Sequence, residues 1–403
     1  MITQYSGIAP KSDLLLLQKL GEILNNRSFL HINSTRTGGG VAEILQRMIP
    51  LLKELGINAR WEVIEGNEKF FEITKKIHNA LQGNVERITN DMWQQHYEVN
   101  RENSEKISLY ADAVVIHDPQ PIPLVEFKKN GKWIWRCHID VSNPLKEIYN
   151  YLSRYCEKYD AAIFSVAKFT RAMPIDEFIT PPSIDPISEK NRELTDGEIK
   201  EISERLQIPI DRPIILQVSR FDRFKDPIGV IKAYRLVKRY NDCILILAGS
   251  PATDDPEGEI VLNEVKEYAA NDPDIHVLLL PPFSDREINA LQRVATIVLQ
   301  KSLKEGFGLT VSEAMWKGKP VIGGATGGIP LQIIHGVTGF LVHSVEGTAF
   351  RVRQFLNNPE MAKRMGEKGR EYVRNNFLIT RQIRDYLAIW YFMENKGKNI
   401  LEL

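Results

Sequence analysis

Short runs of β-branched and aromatic residues alternate along the chain with longer stretches whose apolar residues recur every three or four positions. Read by that periodicity, the first half has strands at Phe29–Asn33, Ala59–Ile64, Ala113–His117, Trp133–His138 and Ala161–Val166. Helices are expected between them, at Val41–Leu55, Glu68–Leu81 and Pro144–Lys158. The second half repeats the scheme. Its strands are Ile214–Ser219, Cys243–Ala248, Ile275–Leu279, Ile297–Leu299 and Pro320–Ile322. Its helices include Pro227–Arg239, Gly258–Ala270, Asp285–Arg293 and Thr310–Trp316. Such alternation predicts parallel sheets with helices on both faces, an α/β fold.

The two halves are separated by Ile179-Thr-Pro-Pro-Ser-Ile-Asp-Pro-Ile187. Its prolines forbid a helix and disfavour a central strand. The expected division is therefore one domain over 1–183 and a second over 184–378. The amphipathic stretches Pro359–Asn376 and Ile379–Glu394 close the chain, and the segment 379–403 is expected to cross back to the first domain. Two doubly wound, Rossmann-like domains joined by a proline-rich hinge should face a central cleft. Ligands in such sheets sit at the carboxyl ends of the strands.

A length of 403 residues fits two or three domains at about 150 residues each. Fifty-two basic side chains balance fifty-two acidic ones. A neutral chain argues against nucleic acid as a partner but leaves room for a local basic pocket holding a small anion. Three scattered cysteines, Cys137, Cys156 and Cys243, read as buried thiols and not as disulfides or zinc ligands. No apolar run reaches about 18 residues, so no membrane partner is expected. Met1–Asp13 lacks the pattern of a secretory signal, so a cytoplasmic location is the expectation. The oligomeric state stays open, with a homodimer as default because symmetric pairs are the commonest assemblies.

The segment Lys304–Val321 joins a glycine-rich loop, a helix start and a strand. Gly306 and Gly308 let the backbone approach a ligand closely. Thr310 is the expected N-cap, so the amides around Gly308–Val311 would leave a helix N-terminus, an arrangement that binds phosphate without a metal. Alone, Thr310-x-x-Glu313 reads as a capping box and Glu305 as a solvated loop acid. Together, two carboxylates bracketing an anion-binding loop also suit sugar hydroxyls, from which a carboxylate accepts paired hydrogen bonds.

Gln217–Pro227 directly follows a strand. Arg220 and Lys225 leave the sheet at its carboxyl end and could hold phosphate, Arg bidentately and Lys as a point charge. An ordinary solvated loop is the other reading, and Arg223 suits solvent best. Gly38, Gly39 and Gly40 follow the first strand and open a helix, again suited to an anion, or else form a flexible turn. They make neither GxGxxG nor a Walker motif. His117 and His138 stand at strand ends beside Asp118 and Asp140, as core histidines or as catalysts. No metal-ligating spacing occurs, so no metal or other cofactor is expected.

Glu305-x7-Glu313 with Gly-Phe-Gly-Leu inside it resembles the signature of retaining glycosyltransferases with two Rossmann-like domains. Ser219-Arg-Phe-x3-Lys225 resembles their diphosphate-binding Arg and Lys, although Asp226 stands where many relatives carry glycine. The closer resemblance is to the archaeal and bacterial trehalose glycosyltransferring synthases, over nearly the whole chain. It rests on His31-Ile-Asn-Ser, Gly38–Glu43, Val63-Ile-Glu-Gly, His78–Asn84, His117–Pro121, Trp135–Asp140, Asp254–Gly258 and Val298–Ser302.

That resemblance implies a GT-B type architecture, with the acceptor on the first domain and a nucleotide-sugar donor on the second. Arg220, Lys225 and the amides of Phe307, Gly308 and Leu309 would hold the diphosphate of a nucleoside diphosphate glucose (UDP-glucose or ADP-glucose) within the Gly306 loop. Glu313 would take the ribose hydroxyls, and Glu305 a hydroxyl of the donor glucose. His138 would sit over that sugar and Asp118 would face the acceptor, with Gly38–Gly40 closing over the donor. No basic cluster is dedicated to a sugar phosphate, which favours free glucose as acceptor. The implied reaction is trehalose synthesis with retention. No convincing nucleophile is visible, so front-face attack is expected, the departing phosphate taking the acceptor's proton. Trehalose phosphorylase, a glucosyltransferase with another acceptor, and a non-catalytic nucleotide-sugar sensor remain as alternatives.

Overall fold

The computed structural model describes residues 2–37, 39–249, 256–270 and 272–398. Gly38 and the Asp254–Asp255 part of one motif lie outside the described residues. The chain divides into two compact units, Met1–Ser183 with Ile379–Leu403, and Ile184–Leu378.

In the first unit the strands are β1 (Ser28–Asn33), β2 (Asn58–Val63), β3 (Ala113–His117), β4 (Lys132–Cys137), β5 (Ala161–Phe164) and β6 (Asp176–Ile179). They form a parallel six-stranded sheet in the order β2-β1-β3-β4-β5-β6. The helices are α1 (Lys11–Ile23), α2 (Gly39–Glu54), α3 (Glu68–Leu81), α4 (Asn90–Lys106), α5 (Lys146–Cys156) and, from the chain's end, Ile379–Glu394. Central strands β3 and β4 are buried on both faces, so Ala113–His117 reads as one apolar run. The edge strand β6 pairs on one side only and tolerates Asp176 and Glu177. Leu30, Ile32, Phe70, Ile77, Ile116, Trp133, Trp135 and Phe164 fill the core on one side.

The second unit contains β7 (Ile214–Val218), β8 (Ile244–Gly249), β9 (Ile275–Leu279), β10 (Ile297–Gln300), β11 (Val321–Gly324) and β12 (Gly339–Val342). All are parallel, in the order β12-β11-β10-β7-β8-β9. Its helices are α6 (Asp196–Arg205), α7 (Pro227–Lys238), α8 (Pro256–Ala269), α9 (Asp285–Val294), α10 (Leu309–Trp316), α11 (Ile329–Gln332), α12 (Val345–Asn357) and α13 (Pro359–Asn376). The helix Ile379–Glu394, now α14, follows directly and packs on α1 of the first unit. This second strand order is that of dinucleotide-binding sheets, and it reverses between β7 and β10. In the first sheet the reversal falls between β1 and β3.

Both α/β units follow the expected alternation, and β6, β12, α1, α4, α6, α11 and α12 add to it. The three cysteines are free and buried. Among the described residues no helix is long and apolar enough to cross a membrane.

Candidate active site

The reversal in the second sheet places two loops side by side at its carboxyl end, Ser219–Asp226 after β7 and Lys301–Gly308 after β10. Side chains of the strand ends tie them together. Gln217 Nε2 donates to Lys225 O at 3.0 Å, and Gln217 Oε1 accepts the Lys301 amide at 3.3 Å. Lys301 Nζ pairs with Asp226. Asp226 has a left-handed φ of 50° and caps α7 by accepting from the Gly229 amide. Aspartate tolerates that conformation better than most residues, which is how it occupies a turn suited to glycine.

Glu305 is the centre of this arrangement. Its Oε2 accepts from Lys225 Nζ at 2.7 Å, Ser302 Oγ at 2.9 Å and Gln300 Nε2 at 3.3 Å. Oε1 has no partner among the described residues. Gln300 is itself oriented by Thr310 Oγ1, which donates to Gln300 Oε1 at 3.0 Å. Arg220, on the same loop as Lys225, has a side chain 55% exposed, 3.6 Å from Asp222. The structure thus brings Lys225 and Glu305 together and leaves Arg220 extended into solvent.

That role for Thr310 corrects the sequence reading: Thr310 is not the N-cap of the following helix, and no capping box forms with Glu313. Gly308 is the N-cap, with φ 81°. A residue without Cβ takes this left-handed turn, and it frees the Thr310 hydroxyl for Gln300. Gly306, Phe307, Gly308 and Leu309 therefore lead straight into the first turn of α10, whose leading amides point along the helix axis beyond its N-terminus. Phe307 is buried and packs edge-on to Phe377 at 5.7 Å. Gln332, fully buried, pins the loop from below. Its Nε2 donates to Phe307 O at 2.5 Å and its Oε1 accepts from Ser312 Oγ at 2.6 Å.

Glu313 lies one turn further on, only 3% exposed. Lys190 Nζ stands 3.8 Å from its Oε1. Its carbonyl accepts from Lys317 Nζ at 3.2 Å, and Asn191 Oδ1 accepts from the same ammonium at 2.9 Å. Burial pulls the Lys317 ammonium down to about 7, with Glu313 acting in the opposite direction.

In the first unit the adjacent ends of β1, β3 and β4 carry a row of imidazoles. His31 Nδ1 lies 3.0 Å from His117 Nε2, and His117 Nδ1 lies 3.0 Å from His138 Nε2. The inner two rings are buried and His138 is partly exposed. Burial drives His31 down to about 3 and both His117 and His138 well below the usual histidine range, so all three are neutral. The buried Arg136 cation adds to the shift of His117 and His138.

Asp118 follows β3 with φ 64°. Its Oδ1 accepts the His138 amide at 2.8 Å, its amide donates to Arg136 O at 2.8 Å, and its carbonyl accepts from Trp135 Nε1 at 3.2 Å. Burial raises its carboxyl to about 6, against the pull of the His138 amide and Arg136. The loop beyond it is held by α4, where His96 Nε2 meets the carbonyls of Pro119 and Gln120 at 3.1 Å and Asn100 Nδ2 donates to Gln120 O at 3.0 Å. Gly39 and Gly40 form the first turn of α2 after β1.

Sequence reasoning gave no role to Gln300, Ser302, Gln332, His31, His96 or Asn100. His31 and the run Val298–Ser302 belong to the family-like motifs, and that is their only signal. The others act through partners far away in sequence.

Two family descriptions match this chain: "Trehalose synthase, N-terminal domain" over residues 31–171 and "Glycosyl transferases group 1" over residues 198–372. A trehalose synthase from Pyrococcus horikoshii is 48% identical over 396 residues, 96% of this chain and 95% of that protein. A trehalose synthase from Rubrobacter xylanophilus is 42% identical over 386 residues, 93% of this chain and 92% of that one. The solved α,α-trehalose 6-phosphate synthase of Burkholderia multivorans superposes with a TM-score of 0.73 at 14% identity, covering 92% of this chain and 98% of its own. That likeness speaks for the fold, two parallel α/β sheets of GT-B type. With the loop-borne carboxylate and lysine at the sheet's reversal and relatives matched almost end to end, the chain is a glycosyltransferase and belongs to the trehalose synthase family.

Proposed function

We propose that this enzyme transfers glucose from a nucleoside diphosphate glucose to free glucose, forming trehalose with retention at the donor carbon, and that it runs in both directions. The observation that carries this reading is the Lys225–Glu305 pair at the strand reversal, a cation for phosphate beside a carboxylate with one oxygen left for a sugar hydroxyl. Arg220, Lys225 and the amides of Phe307, Gly308 and Leu309 would grip the diphosphate. Glu313 would receive the ribose hydroxyls and Glu305 a hydroxyl of the donor glucose. His138 would lie over that sugar, Asp118 would face the acceptor, and Gly39 and Gly40 would close on the donor.

Charge accumulates on the diphosphate as the glycosidic bond breaks. Arg220, Lys225 and the α10 N-terminus would stabilise it. The acceptor oxygen bonds to the same face of the sugar carbon that the phosphate leaves, and its proton passes to the departing phosphate oxygen. No covalent glucosyl-enzyme forms, so one trapped on Asp118 or Glu305 would refute the route.

A proton NMR time course with glucose and UDP-glucose or ADP-glucose tests the proposal. The expected result is a growing α,α-linked disaccharide, lost in Arg220→Ala. Trehalose consumption with orthophosphate alone would make the protein a phosphorylase, and donor binding without any product would make it a sensor.

A further inference from the structure

The three neutral imidazoles carry three ring protons between them, and the two N···N contacts consume two. The third must sit at one end of the row, on His31 Nε2 or on His138 Nδ1. His31 Nε2 is buried and has no hydrogen-bond partner. A proton there would be an orphaned buried donor, the rarer and costlier kind of unsatisfied group. His138 is the partly exposed ring, and its Nδ1 is the end that can reach solvent or a ligand. The polarity of the row follows. His31 Nδ1–H donates to His117 Nε2, His117 Nδ1–H donates to His138 Nε2, and His138 keeps its proton on Nδ1.

We infer that His31 and His117 are positioning residues that lock His138 in the Nδ1–H tautomer, so that it meets its ligand as a hydrogen-bond donor. The ligand class is a sugar hydroxyl or ether oxygen, which accepts. The role of His138 toward the donor glucose rests on the function proposed above; the tautomer itself does not. Free imidazole in water favours the other tautomer, so the fold, and not intrinsic chemistry, makes the choice. His138 is thereby excluded as a base toward the sugar, because its unprotonated nitrogen is turned inward and occupied by His117.

The test is nitrogen-15 NMR of ligand-free protein labelled at histidine, which separates protonated from unprotonated ring nitrogens. His138→Gln assigns the His138 pair among the eight histidines. The expected spectrum has His138 Nδ1 protonated and Nε2 bare; the reverse would overturn the inference whatever the enzyme proves to catalyse. His117→Leu should release His138 to both tautomers and lower kcat/KM for the donor about two- to tenfold, one hydrogen bond's worth. His117→Asn, whose side-chain amide can donate in place of Nδ1, should restore both. A folded Leu variant in which His138 keeps a single tautomer would also overturn it. If the spectrum is as expected but no disaccharide forms, the functional proposal fails and the relay stands.

Discussion

Lys225 Nζ and Glu305 Oε2, 80 residues apart in the chain, meet at 2.7 Å across the two loops of the strand reversal. The contact neutralises the cation that the proposed donor diphosphate needs. Binding the donor must therefore divide Lys225 between a phosphate and a carboxylate. Glu305→Gln removes that competition. The expected outcome is unchanged or tighter binding of the bare nucleoside diphosphate, together with a transfer kcat/KM lower by about 100-fold because the sugar contact is lost. Lys225→Met should weaken both. Calorimetry with UDP or ADP beside initial rates separates the two effects; a parallel loss in Glu305→Gln would mean the pair acts as one unit.

Asp118 sets a pH dependence of stability. Its carboxyl rises from 3.8 to about 6 on folding. Between those values the native state holds a proton that the unfolded chain has lost, so stability falls as pH rises through the window. Asp118→Asn keeps an acceptor for the His138 amide and suits the left-handed backbone. It should flatten this slope and stabilise the protein at pH 8 by about 2 kcal/mol. Activity should fall at the same time. Denaturant melts at pH 4, 6 and 8 check the first, and rates the second.

Lys317 carries the opposite sign. Its ammonium drops from 10.5 to about 7, so between those values the unfolded chain binds the extra proton and stability rises with pH. Below pH 7 the native state carries a buried charge that donates to Asn191 Oδ1 and the Glu313 carbonyl, and burial outweighs the attraction of the Glu313 carboxylate. Lys317→Met should therefore stabilise at pH 6 by about 1–2 kcal/mol and give a smaller benefit at pH 9. A benefit independent of pH would contradict the assignment.

Gly327 places backbone where a side chain cannot fit. Its φ is 57°, and a Cβ would lie 1.8 Å from the Glu305 carbonyl oxygen. Gly336 has a φ of 78° with open space around it. Gly336→Ala should cost about 1 kcal/mol, from the left-handed backbone alone. Gly327→Ala should cost more than about 2 kcal/mol and displace Glu305, with loss of transfer. Equal costs in chemical denaturation would show that the loop yields easily.

The parallel strands were legible because Val114–Ile116 and Ile214–Leu216, buried on both faces, read as unbroken apolar runs. Helix α4 was not. Its buried positions include His96, Asn100 and Asn103, a polar stripe at helical spacing that satisfies backbone carbonyls instead of filling a core. A search for apolar periodicity passes over it. Glu305 and Lys225 stood out by residue type and spacing. Their pairing did not, because the placement of β10 beside β7 decides it. Thr310 misled for a related reason. A Thr three residues before Glu is a cap only if the chain turns there, and Gly308 turns it earlier.

Helix α14 makes the two units unequal in how they are built from the chain. Residues Ile184–Leu378 form a continuous unit, whereas the first unit is completed by a segment that follows it in the chain. Residues 1–183 alone lack Trp390, which packs at 5.0 Å on Phe29, and Tyr386, at 5.9 Å from His31. The second unit can thus complete its core from one continuous stretch, while the first needs both of its segments. The histidine row beneath His138 is closed over only once α14 has returned to the first unit and set Tyr386 beside His31.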